Sequence, residues 1–133
     1  MATAECNYFS GGGAEKPTLL WSDNSGTNST ISSANIDYSN YQYLIFVTGC
    51  SGGSSSWATN KKTTLCDKSV KYHMLAMCGM ATTSAYTYMT VGIENGGITF
   101  PYKEQTYDLC YAIYGCNSLS IDYTDIWASG NIA

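Results

Sequence analysis

The residues best equipped for chemistry in this 133-residue chain are a serine in a glycine-rich stretch, a lone histidine, ten acids and six cysteines. Gly49-Cys50-Ser51-Gly52-Gly53 fits the G-x-S-x-G pattern of a nucleophile elbow, and it follows an apolar run that reads as a strand. An elbow has to turn straight into a helix, which strains the serine and supplies an oxyanion hole. Here the chain enters Ser54-Ser55-Ser56-Trp57, which reads as loop. His73 sits mid-strand between Tyr72 and Met74, with no nucleophile or ligand beside it in sequence, and reads as a hydrogen-bonded structural residue. Asp108, Asp122 and Asp125 do not fall in a calcium-type loop of oxygen ligands, and Glu5, Glu15, Glu94 and Glu104 show no pairing that would flank a glycosidic bond. No catalytic residue is expected.

The cysteines are Cys6, Cys50, Cys66, Cys78, Cys110 and Cys116. No two have Cys-x-x-Cys spacing, and with one histidine the four convergent ligands of a zinc site are not in view. The first residues, Met-Ala-Thr-Ala-Glu-Cys, lack a basic and then apolar leader. The expectation is therefore synthesis in a reducing cytoplasm, with most thiols acting as small core hydrophobes. Neither a metal nor a cofactor is expected. The triplet Asn28-Ser29-Thr30 matches a glycosylation acceptor, which carries no weight without secretion.

What remains is binding through aromatic rings. Of twelve tyrosines, seven (Tyr86, Tyr88, Tyr102, Tyr107, Tyr111, Tyr114 and Tyr123) cluster between residues 86 and 123, in the second half of the chain. A tyrosine offers a flat apolar ring and a polar tip, which suits a sandwich rim, a subunit interface or a stacked sugar. Trp57, in the loop from Cys50 to Asn60, reads as a lid on the core or as an exposed binding residue. Trp57, Tyr86, Tyr88, Tyr102 and Tyr107 are the candidates for ligand or subunit contact.

Charge narrows the partners. Charged residues are 12% of the chain, about half the usual share, so hydroxyls and amides must keep the surface wet. A net charge of −4 and six scattered basic residues exclude the clustered cationic face that nucleic acid requires. Lys61-Lys62 is the one adjacent basic pair and reads as solvated loop. No apolar run approaches the roughly 18 residues of a membrane helix.

The elements that must carry these residues are organised around Tyr41 to Gly49, Tyr-Gln-Tyr-Leu-Ile-Phe-Val-Thr-Gly. At period two, Tyr41, Tyr43, Ile45 and Val47 face one way and Leu44 and Phe46 the other. Both faces are apolar, which predicts a central strand covered on both sides. Around it the sequence predicts strands at 18–22, 29–36, 70–78, 85–94, 98–100 and 109–115, with 63–65 and 119–123 as the remaining candidates. Asp23 to Asn28 reads as a turn, and Asn95-Gly96-Gly97 closes a hairpin that Pro101 ends. Seven or eight short strands without a helical period predict an all-β fold, an antiparallel sandwich or jelly roll. The expected division is an arm over residues 1–17, a sandwich over 18–123 and a tail over 124–133. The arm holds Ser10-Gly11-Gly12-Gly13, and the tail, carrying Trp127, is expected to lie across a neighbour.

Three stretches together carry a resemblance. They are Leu20-Trp21-Ser22, then Ser39-Asn40-Tyr41-Gln42-Tyr43-Leu44-Ile45, and late in the chain Ala112-Ile113-Tyr114-Gly115. In order and spacing, from Thr18 to Gly115, they resemble the small β domain of bacteriophage virion proteins, often found at the end of tail or head fibres. In that family the chain typically ends just after Ile-Tyr-Gly, whereas this one continues to Ala133. The resemblance implies a non-enzymatic β-sandwich, usually a homotrimer, exposed on the particle and in some cases touching a host-surface glycan. It implies residence in the virion, attachment to other virion proteins through the arm with Cys6, Tyr8 and Phe9 as docking residues, and no catalytic residues. A carbohydrate-binding module is the alternative, with Trp57 and the loop tyrosines as stacking platforms.

Overall fold

The computed structural model describes residues 14–50, 61–76, 88–103 and 108–128. Its strands are β1 (Thr18–Thr27), β2 (Tyr43–Cys50), β3 (Lys62–Asp67), β4 (Tyr72–Leu75), β5 (Met89–Glu94), β6 (Gly97–Thr99) and β7 (Asp108–Cys116), followed by a short helix α1 (Thr124–Ala128). They form two antiparallel sheets, a four-stranded one in the order β1-β7-β2-β3 and a three-stranded one in the order β4-β5-β6. The fold is an all-β sandwich.

β2 occupies the place its composition predicts. It lies between β7 and β3, and Leu44 through Thr48 are fully buried. Leu44 and Phe46 point into the main core, where Leu75, Met89, Val91 and Ile98 of the smaller sheet or its connections meet them. Ile45 and Val47 point to the opposite face and join a second core with Ala112, Tyr114, Cys116 and Ile126. An apolar outer face in water would be costly, and α1 covers it by inserting Ile126 between the outward side chains.

β7 contributes to both cores, but its alternation changes phase. Cys110 and Ile113 belong to the main core and Ala112 and Tyr114 to the second. The phase change follows from a bulge. Val47 pairs with Ala112 while the next residue, Thr48, pairs with Cys110, so Tyr111 is the extra residue.

Four sequence expectations need correction. Asp23 to Asn28 does not end β1. Ser22 pairs with Ala112 and Thr27 with Cys110, so the intervening residues form a large bulge within one strand. The turn chemistry is present inside that bulge: the Asp23 carboxylate accepts the Ser25 N–H at 2.9 Å, and Gly26 takes φ +74°. Residues 29–36 are not a strand; Ile31 alone bridges Ile98, and polar residues around it bond locally. Residues 119–123 likewise make one bridge, Ile121 to Glu15. The tail, expected to lie across a neighbour, instead packs its first part, α1, on the domain's own sheet through Ile126; residues 129–133 lie outside the described residues.

The chain is already tied to the body at Glu15. Its carboxylate accepts the N–H groups of Asn117 and Ser118 at 2.8 and 2.7 Å, and its backbone bonds Ser120 and Asp122. Residues 1–13, with Cys6, Tyr8 and Phe9, lie outside the described residues.

Cys50, Cys66, Cys110 and Cys116 are buried and none of them is in a disulfide, as core hydrophobes should be. Burial pushes the Cys66 thiol up to about 12, raises Cys110 further, and lifts Cys116 to about 11 with help from the Glu15 charge. These thiols should resist alkylation at pH 8 in the native protein and react once it is unfolded, as intact-mass analysis would show. The alkaline linkage has a definite sign. The native thiols keep their protons at a pH where unfolded cysteines have lost them. Stability is therefore whole below about pH 8.5 and falls as pH rises through 11 and 12.

Candidate functional site

The smaller sheet has one face in the main core and one turned away from it. His73, Leu75, Met89, Val91, Ile93 and Ile98 lie on the inward side of the register. His73 is half-buried, and its Nε2 lies 3.0 and 2.9 Å from the carbonyl oxygens of Asp67 and Val70. Two acceptors facing one ring nitrogen fix that nitrogen as the donor. His73 thereby ties the β3–β4 turn, a structural role.

The opposite parity brings Tyr72 and Met74 of β4 alongside Thr90 and Gly92 of β5 and Thr99 of β6. Tyr72 and Met74 are 54% and 64% exposed, large values for side chains of this size on a sheet. Gly92 is what lets Tyr72 lie flat. A Cβ at that position would stand 3.2 Å from the Tyr72 ring and would collide with the Thr99 hydroxyl. The ring therefore covers a glycine, a known device on strands.

At the other end of the face, residues following β6 run back along β5. The Thr90 N–H donates to the Tyr102 carbonyl at 2.8 Å, and the Tyr102 N–H donates to the Thr90 hydroxyl at 3.1 Å. This double tie sets the Tyr102 ring against Tyr88, with centroids 5.1 Å apart and planes 28° from parallel. Of the five contact candidates read from sequence, these two are described, and the structure stacks them on each other. Trp57, Tyr86 and Tyr107 lie outside the described residues, as does Ser51.

Beyond Tyr72, at the hairpin end of the sheet, runs an ion pair. Lys71 Nζ lies 3.1 Å from the Glu94 carboxylate and 5.0 Å from the centroid of the Tyr72 ring. The Lys71 hydrogen bond, followed by one from the Thr99 hydroxyl at 3.0 Å, holds Glu94 below the usual carboxylate range. Glu94 raises Lys71 in return. The pair is solvated, so its weight in stability is small. Its consequence is a fixed acceptor beside an aromatic platform.

Such a surface offers flat rings, a soft methionine and hydroxyl groups. It can bind by stacking and apolar contact. Among the described residues no three or more His, Cys, Asp or Glu side chains are grouped to hold a metal ion. The Asn28 carboxamide, in the would-be glycosylation triplet, donates to the Asp108 carbonyl at 3.2 Å and so joins β1 to β7.

Sequence reasoning missed Tyr72, Met74 and the Lys71–Glu94 pair. The signal was there as parity: Tyr72 and Met74 alternate with His73 and Leu75. Both sets are apolar enough to be the inner one, and only the packing of Leu75 into the core decides between them. A second exposed group stands on the helix side of the molecule, where Trp127 stacks on Tyr123 at 6.3 Å. No family model, curated protein or solved structure matches this chain.

Proposed function

We propose that this protein is a non-enzymatic structural subunit of a bacteriophage particle, displayed on the virion as a homotrimer and making contacts through tyrosine-bearing sheet faces. The observation that carries the reading is the convergence of the three stretches on which the resemblance rests. Gly115 lies under the Tyr41 ring, and the Leu20 side chain closes the same spot. A Cβ on Gly115 would stand 2.6 and 2.8 Å from two Tyr41 ring carbons and 2.9 Å from Leu20 Cδ1. One residue from each stretch thus meets the others on adjacent strands or their approaches, and the three form a single packing unit. Low charge and the exposed Tyr72–Met74 face favour a protein that works packed against others.

Light scattering on the purified full chain tests the assembly. A mass of three chains, unchanged by reductant, is the expected result, since the four described thiols are buried and in no disulfide. A monomer at all concentrations would overturn the homotrimer.

A second reading, a carbohydrate-binding module acting on cell-surface glycans, is favoured by the stacked Tyr88–Tyr102 pair and the Tyr72 platform beside a carboxylate acceptor. A glycan array with no ligand at high density, while the fold stays intact, would overturn it. The two readings are compatible in a virion protein that is itself an adhesin.

A further inference from the structure

The β5–β6 hairpin turns through Asn95 and Gly96, at φ +56° and +74°, the left-handed pair of a type I′ turn. Against its inner edge runs the segment that the sequence suggested was a strand. Ile31 and Ile98 exchange both backbone hydrogen bonds, at 2.8 and 2.9 Å. The approach is close because position 97 is glycine: a Cβ there would stand 2.6 Å from the Ile31 carbonyl oxygen. The buried Tyr38 hydroxyl donates to the Gly97 carbonyl at 2.9 Å and fastens the turn from below. Both walls are therefore held before any ligand arrives.

Between hairpin and segment lies an open cleft of about 150 Å³. Ile31 and Ile98 are among its lining residues, and both side chains are otherwise buried in the main core. Thr30, Ser32 and Ser33 line one side, and Glu94, Asn95 and Thr99 the other. The volume is well below the roughly 300–1,000 Å³ of pockets for drug-sized ligands. It admits one small ring. Hydroxyls and a carboxamide donate and accept alike, which matches the hydroxyls of a sugar better than it matches an ion. The Glu94 charge repels an anionic ligand, and Lys71, paired to Glu94, leaves no net charge to attract a cation.

We propose that this cleft binds one neutral pyranose ring, taken as the terminal sugar of a glycan, with the adjacent Tyr72 face receiving the second sugar of the chain. The proposal rests on the glycan-binding reading and gives it a site. Glu94 accepts a sugar hydroxyl through a carboxylate that stays ionised at neutral pH, and Asn95 supplies a donor from the turn.

The test is two-dimensional NMR of the isotope-labelled full chain titrated with methyl glycosides of glucose, galactose and N-acetylglucosamine at millimolar concentration. The expected result is saturable shifts of the Ser32, Ser33, Asn95 and Thr99 amides with at least one of the three. Asn95→Gly keeps the positive φ and removes only the carboxamide, so it should weaken that binding about threefold to tenfold and leave distant resonances in place. Shifts confined to Tyr72, Tyr88 and Tyr102 would overturn the cleft while the glycan reading stands. No saturable shift with any of the three would overturn both.

Discussion

Gly115→Ala is expected to destabilise the protein by about 2–3 kcal/mol, although it adds a single methyl group. The new carbon would lie far inside the contact distance of the Tyr41 ring and of Leu20. Neither neighbour has an easy retreat. Gly115 pairs with Thr18 on β1 and with Leu44 on β2, so it sits mid-sheet with strands on both sides. Tyr41 is half-buried, and its backbone N–H bonds the Tyr38 carbonyl. Removing the ring should make room. In a Tyr41→Ala background the added cost of Gly115→Ala should shrink by about 1–2 kcal/mol, a coupling that a double-mutant cycle by urea denaturation would read. Full additivity of the two substitutions would mean that ring and glycine are not in contact.

Phe46→Ala is expected to cost about 3–5 kcal/mol and Ile45→Ala about 2–5 kcal/mol, as for other fully buried side chains of these sizes. The comparison matters more than either value. The two are consecutive on β2 and point to opposite faces, Phe46 into the sandwich core and Ile45 under α1. In a sheet with one wet face, one of two neighbours is nearly free to change. Large losses at both would show that the outer face is a genuine second core. A loss below about 1 kcal/mol at Ile45 would show that α1 does not seal it.

That double burial was legible because composition and parity agreed: no charge interrupts residues 41–49, and both parities are apolar. The hairpin was legible too, since Asn95 and Gly96 are the residues a left-handed pair demands. The Asp23–Asn28 bulge was not. Its residues have real turn chemistry, and nothing local says whether the strand resumes beyond it; pairing of Thr27 with Cys110 decides. Ile31 looked like part of a strand because it is apolar among polar residues, but one bridge to Ile98 is all it makes. Helix α1 escaped notice because five residues are too few to show a period. At the candidate site, tyrosines were identifiable as a class. Which ones stack depended on Thr90 drawing Tyr102 back along β5, a contact between residues on separate strands and connections.

Whether the chain travels with phage particles decides the proposed function. An antibody against the folded protein would be used on a density gradient of lysate from the source culture. A virion subunit bands with the DNA-containing particles, and the antibody labels their surface. A chain found wholly in the soluble fractions, with particles free of it, would contradict the virion assignment.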